Sequence, residues 1–204
     1  MNEHRILNVT QSLVGIPGLL SGSEDFGLDS DPINRTKARY FDSEAAETLV
    51  ENDRSRLAII GKDDGVIGLV AKRDRKLYYY VRFTTSRIPM SDQAVTQIEL
   101  WRHRRVEEFF PSITRHVFFS VLLNRFPAVM SDSLHTVQGQ QFWERMVAAA
   151  KGMGLTIQML DLADSHIVTY DPEQVPDIGD WLIQVEPWGY GTTFTKRRLI
   201  IRRP

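Results

Sequence analysis

VMSDSLHTVQGQQFWERMVAAAKGMG, residues 129–154, holds a short apolar run, a polar elbow and an amphipathic helix in direct succession. The apolar run with its flanks, PAVMSD, has the length and bounding residues of a short buried strand. Downstream, Trp143, Met146, Val147 and Ala150 fall at i, i+3, i+4 and i+7, the spacing of one buried helix face, and Gly152 and Gly154 mark the helix end. The spacing predicts that Trp143 is buried beneath a sheet. At the elbow, Asp132 or Ser133 is placed to accept backbone N–H groups from the following turn, with His135, Thr136 and Gln138 facing out of it. Capping is the structural role. Ligands also collect at strand C-terminal ends in open sheets, so the same cluster is a candidate contact for a bound substrate.

Working outward, residues 15–36 are dense in Gly, Ser, Asp and Pro and predict a loop or arm, so that 1–40 reads as an N-terminal arm and 41–204 as a single domain. DSEAAETLVEN, residues 42–52, opens on a capping residue followed by acidic side chains and predicts a short helix. Residues 56–86 give three apolar runs separated by Asp63-Asp64-Gly65 and by Arg73-Asp74-Arg75-Lys76, a pattern of antiparallel strands and tight turns. QAVTQIELW (93–101) predicts a further strand, with Glu99 and Trp101 on one face. SITRHVFFSVLLNRF (112–126) predicts a helix capped by Ser112. LTIQMLDL and SHIVTY read as strands, and DWLIQVE (180–186) is expected to pair with TKRRLIIRR (195–203) across the turn PWGYGT. The order predicts an α+β protein with a mixed, mainly antiparallel sheet flanked by helices.

Composition bounds the function. Hydrophobic residues are 42% and charged residues 25%, a globular balance, and the formal net charge of -1 supplies no overall basic field, so nucleic-acid binding would have to be local. The chain has no cysteine, which removes disulfides and thiolate metal sites, and the five histidines show no metal-ligand spacing, so no metal is expected. No apolar stretch approaches the ~20 residues of a membrane span and the first residues lack a signal-peptide core, which predicts a cytoplasmic protein.

The element order of meander, helix, strand, helix and strand resembles the GNAT fold of acyl-CoA-dependent N-acyltransferases over residues 55–165. The pair Ser131-Asp132 after a short strand, followed by TVQGQQFW, is similar to a pattern in acetyltransferase-like proteins of bacteriophages and prophages. The resemblance implies acetyl-CoA as cofactor, a small amine or a host protein as acceptor, and a phage or mobile-element origin with the bacterial cytoplasm as location. In that family the strand before the cofactor runs into a glycine-rich loop whose backbone approaches the CoA pyrophosphate. Here no glycine lies between Gly68 and Gly139, and the equivalent stretch is WRHRRVEEFFPSITRH. Arg102, Arg104 and Arg105, with the backbone of Ser112 and Ile113, are the residues left to hold phosphates; the alternative is a solvated basic turn. Glu99 is the candidate general base, and Tyr170 or Tyr190 the candidate acid for the departing thiolate. The competing reading is a catalytically inactive protein of the same fold that binds a host protein or nucleic acid through WRHRRVEEFF or KRRLIIRRP.

Overall fold

The computed structural model describes residues 28–88, 91–132, 137–188 and 196–204. These residues form an α+β protein, with mainly antiparallel pairing and flanking helices, and they group into two compact units. Of the described residues, those up to Thr84 and Glu99–Ile113 form the first unit, and those within Thr85–Ile98 and Thr114–Pro204 form the second.

In the first unit, helix α1 (Asp31–Tyr40) precedes strands β1 (Glu47–Glu51), β2 (Ser55–Ile60) and β3 (Gly65–Ala71), and β4 (Leu77–Ile88) begins here. All neighbours in this meander are antiparallel, with Leu57 opposite Leu69 and Ile67 opposite Val81. The predicted strands over 56–86 are present. Two local expectations are not: the stretch read as arm or loop carries α1, and Glu47–Glu51, read as helix, is a strand. The buried positions Asn34, Lys37, Ala38 and Phe41 have helical spacing, but two of them are polar, which hides the apolar stripe. Pro32 near the start, Asp31 in the first turn and Lys37 and Arg39 in the last suit the helix dipole. For β1, ladder pairing with β2 outweighs the helical propensity of Glu and Ala.

Asn34 fixes α1 to β4: its Nδ2 donates to the carbonyls of Leu28 and Leu77, both at 3.0 Å, while its Oδ1 accepts the Leu77 N–H at 2.7 Å. Phe41 then lies against β3 so closely that a Cβ on Gly68 would stand 2.5 Å from its Cζ. The fully buried β3 therefore needs glycine there.

β4 and β5 (Ser91–Arg102) contribute residues to both units. In the second unit β5 pairs in parallel with β6 (Ala128–Met130), through Val95 opposite Ala128 and Gln97 opposite Met130. A parallel neighbour needs a crossover. It is supplied by three successive helical segments, Ile113–Arg115, the π-helix His116–Leu122 and Leu123–Arg125, together labelled α2. Helix α3 (Val137–Gly152) follows, then β7 (Thr156–Asp161), β8 (His166–Thr169), helix α4 (Ile178–Val185) and β9 (Arg197–Arg202). β9 lies between β6 and β7, antiparallel to both, and β8 flanks β7.

With both edges of β9 occupied, residues 180–186 have no place beside it, and all but Glu186, which ends the helix, lie in α4 in place of the expected strand. Asp177 caps that helix, accepting the N–H groups of Gly179 at 2.7 Å and Asp180 at 3.2 Å. Trp143 on α3 is 3% exposed and meets Phe118 of α2 edge-on at 5.5 Å, so its predicted burial holds. Among the described residues no helix is long and apolar enough to cross a membrane, and no group of His, Asp and Glu could hold a metal ion.

Candidate functional site

The loop after β5 gathers most of the predicted cofactor residues. Arg102 ends β5, a single 3₁₀ turn spans Val106–Glu108, and Ser112 precedes Ile113 at the start of α2. Val106 is buried and pins the turn. That turn carries Glu107 and Glu108 back towards the arginines. Arg105 makes a two-pronged contact with Glu108, Nε to Oε1 at 2.8 Å and a terminal nitrogen to Oε2 at 2.7 Å. The hydrogen bond from Arg105 holds the Glu108 carboxyl below its ordinary pKa, and the same bond raises that of the guanidinium. Glu107 lies 3.6 Å from Arg102 and accepts the Ser112 N–H at 2.6 Å.

These contacts engage groups that were expected to hold phosphate. Ser112 has a left-handed backbone, φ 56°, and its N–H serves Glu107, so the backbone donor proposed for phosphate is committed to a carboxylate of the same loop. Arg102 and Arg105 likewise face carboxylates; Arg104 is exposed, and Ile113 is buried. An anion at this loop would meet two glutamates beside the three arginines, so most of the positive field is cancelled at short range.

Beneath the loop, His103 donates its backbone N–H to the Tyr78 carbonyl at 3.0 Å, and its Nδ1 accepts the Arg105 N–H at 3.1 Å. The His103 and Tyr78 rings meet edge-on at 4.9 Å. Burial, assisted by the charge of Arg104, lowers the His103 pKa. Burial also pushes the Tyr78 phenol up to about 12, aided by its 2.7 Å hydrogen bond to Asp74. The phenol therefore stays protonated near neutrality, and the imidazole Nδ1 is occupied by the Arg105 N–H.

The remaining candidates fall elsewhere. Glu99 lies in β5; its side chain, like that of Gln138 on α3, is outside the described residues, as are His135, Thr136 and Tyr190. Asp132 and Tyr170 belong to the second unit. Tyr170 donates its hydroxyl to the Pro176 carbonyl at 3.1 Å and stands edge-on to Trp181 at 5.5 Å. Lys151 donates to the same carbonyl at 2.5 Å. The phenol is thus engaged in joining the loop before α4 to α3.

At the elbow, Ser131, named in the sequence only as part of the Ser131-Asp132 pattern, has a structural role that sequence reasoning missed. It is fully buried, exchanges backbone bonds with β9 by giving its N–H to the Leu199 carbonyl at 2.9 Å, and accepts the Leu199 N–H on Oγ at 3.0 Å. Asp132 is half-buried and its charge favours the cationic form of Arg198, whose pKa is otherwise lowered by burial. The Ser131-Asp132 pair therefore secures β9 and compensates a buried arginine beside β6. A serine after an apolar run was visible as a signal, but its strand partner lies 68 residues away.

No family model matches the chain, and no curated protein matches it. A solved structure that resembles it is a protein of unknown function from Aquifex aeolicus VF5, with 10% sequence identity and a TM-score of 0.36 over 83% of this chain and 78% of that one. That likeness is too slight to assign a fold family.

Proposed function

We propose that this chain has an acyltransferase-like scaffold used for binding a host macromolecule, protein or nucleic acid, and not for acetyl transfer. One observation carries the reading: in the loop that would hold CoA, Glu107 and Glu108 engage Arg102, Arg105 and the Ser112 N–H. A pyrophosphate would have to displace two carboxylates without help from close backbone approach, because the loop has no glycine. Support for the scaffold itself comes from the meander, the parallel β5–β6 pair joined through α2, and the continuation through α3 to β7, which follow the GNAT element order. The SD…TVQGQQFW stretch supports a phage or mobile-element origin. The acetyltransferase reading, with acetyl-CoA and a small amine or host protein as substrates, rests on the same scaffold and is countered by the occupied loop.

Calorimetric titration of the full chain with acetyl-CoA, alongside thiol release in the presence of amines, tests the choice. The expected result is no thiol release and no binding that depends on the loop. A variant with Glu107→Gln and Glu108→Gln should bind acetyl-CoA more tightly than the wild type, because it removes the two negative charges that face Arg102 and Arg105. Wild-type binding that disappears when Arg102, Arg104 and Arg105 are changed to alanine, accompanied by acetyl transfer, would overturn the proposal.

A further inference from the structure

The loop after β5 carries one more titratable group than its ion pairs use. Between Arg102 and Arg104 stands His103, half-buried, with its ring edge-on to Tyr78 at 4.9 Å. Its Nδ1 accepts the Arg105 N–H at 3.1 Å and its carbonyl accepts the Val106 N–H at 3.0 Å. The histidine thus holds the start of the turn that returns Glu107 and Glu108 to the arginines. An imidazole accepts at Nδ1 only while that nitrogen carries no proton. Proton uptake there sets one donor against another, and it adds a positive charge within the field of Glu108.

The charges around the imidazole come from three places in the first unit. Arg104 and Arg105 flank it in its own loop, with Glu108 beside Arg105. β4 and the turn before it bring Tyr78, Lys76 and Asp74; Lys76 is paired with Asp31, and Asp74 accepts the Tyr78 hydroxyl. Asp29 faces the ring from the residues before α1. While the ring is neutral, Arg102, Arg104 and Arg105 stand against Glu107 and Glu108, three positive charges less two negative, a net charge of one. Protonation of the ring doubles it.

We propose that the loop after β5 binds the phosphodiester chain of a nucleic acid when His103 is protonated and releases it when His103 is neutral. The added charge offsets Glu108, and the Arg105 guanidinium is left with donors for an oxyanion. Phosphodiesters keep their charge as the pH falls, whereas the carboxylates of an acidic protein lose theirs towards the same end of the range. A nucleic acid is therefore the partner whose affinity rises throughout as the ring charges. The inference rests on the reading above, that the loop is neutralised from within near neutral pH, and it names the partner and its control. Acetyl-CoA near neutral pH decides that reading and pH dependence decides this one, so the two failures are told apart.

The test measures the affinity of the full chain for a fluorescent oligothymidylate between about pH 8 and about pH 5 at constant ionic strength. Wild-type affinity should rise about fivefold as His103 charges, the scale of one unit charge acting across ~4 Å of solvent. His103→Gln offers the Arg105 N–H an acceptor but takes up no proton, and it should flatten that rise. Glu108→Gln should bind near neutral pH as the acidified wild type does, and Arg105→Ala should weaken binding at acid pH. Circular dichroism checks that each variant is folded at each pH. Binding and proton uptake are reciprocal, so saturating oligonucleotide should raise the midpoint of the His103 ring titration, followed by NMR on the wild type, by about 0.7 pH unit. A histidine with only a structural role would not move. No oligonucleotide binding at about pH 5, an equal rise in wild type and His103→Gln, or a His103 titration unchanged by the oligonucleotide overturns the proposal. Polyglutamate bound more tightly than the oligonucleotide, with the same pH response, overturns the choice of nucleic acid.

Discussion

Replacing Asn34 by alanine tests whether the helix that precedes the meander is anchored through one buried amide. The side chain makes three hydrogen bonds, two as donor to Leu28 and Leu77 and one as acceptor from Leu77. At roughly 1 kcal/mol net for each, their loss costs about 3 kcal/mol, since the substitution leaves the Leu77 N–H and two carbonyls without this partner in a region closed to water. For a chain of this length that corresponds to a melting temperature about 6–12 °C lower. Because the residues form two compact units, the global melt is best accompanied by hydrogen exchange at the Leu77 amide, which reports the anchor locally. Loss of protection at Leu77 and a lower melting temperature are expected together. Asn34→Asp separates hydrogen bonding from packing, because it preserves the volume and the acceptor but turns a carboxylate oxygen towards two carbonyls. It should be at least as destabilising as alanine at neutral pH. An Asn34→Ala protein with wild-type melting and an equally protected Leu77 amide would refute the anchoring argument, and an aspartate variant as stable as wild type would refute its electrostatic part.

Two further outcomes follow from the packing. Trp143→Ala should destabilise the chain by ~3–5 kcal/mol through the cavity left between α3 and the Phe118 ring, read by chemical denaturation; an unchanged midpoint would place Trp143 outside the core. The lowered pKa of His103 sets a pH dependence: between the unfolded value of 6.5 and the depressed folded one, the unfolded chain binds the proton first, so stability present above pH 6.5 is lost as pH falls. Protonation at Nδ1 would also break its bond to the Arg105 N–H. His103→Gln should flatten that acid limb, and an acid limb identical in wild type and variant would show that other groups set it.

Much of the sheet was legible because its signals are local. Residues 56–71 and 77–86 are apolar runs between turn residues, and each became a strand paired with its sequence neighbour. Helix α3 was legible because Trp143, Met146, Val147 and Ala150 are apolar at helical spacing and buried together. The misread elements are those whose deciding contact is remote or polar. In α1, Asn34 and Lys37 occupy inward positions that a hydrophobicity pattern assigns to solvent. In α4, Trp181, Ile183 and Val185 alternate as a strand would, yet Ile183 is 73% exposed, and the Asp177 cap together with the filled edges of β9 selects the helix.

The same distinction governs the candidate sites. Three arginines within four residues of the end of β5 were visible as a cationic loop, but charge in a sequence has no partner until a turn supplies one. The 3₁₀ turn at Val106–Glu108 returns Glu107 and Glu108 to the arginines, and a loop that reads as a phosphate cradle becomes a set of internal ion pairs. An arginine-rich segment therefore does not identify an anion site by itself; the sign of the side chains that the fold returns to it does.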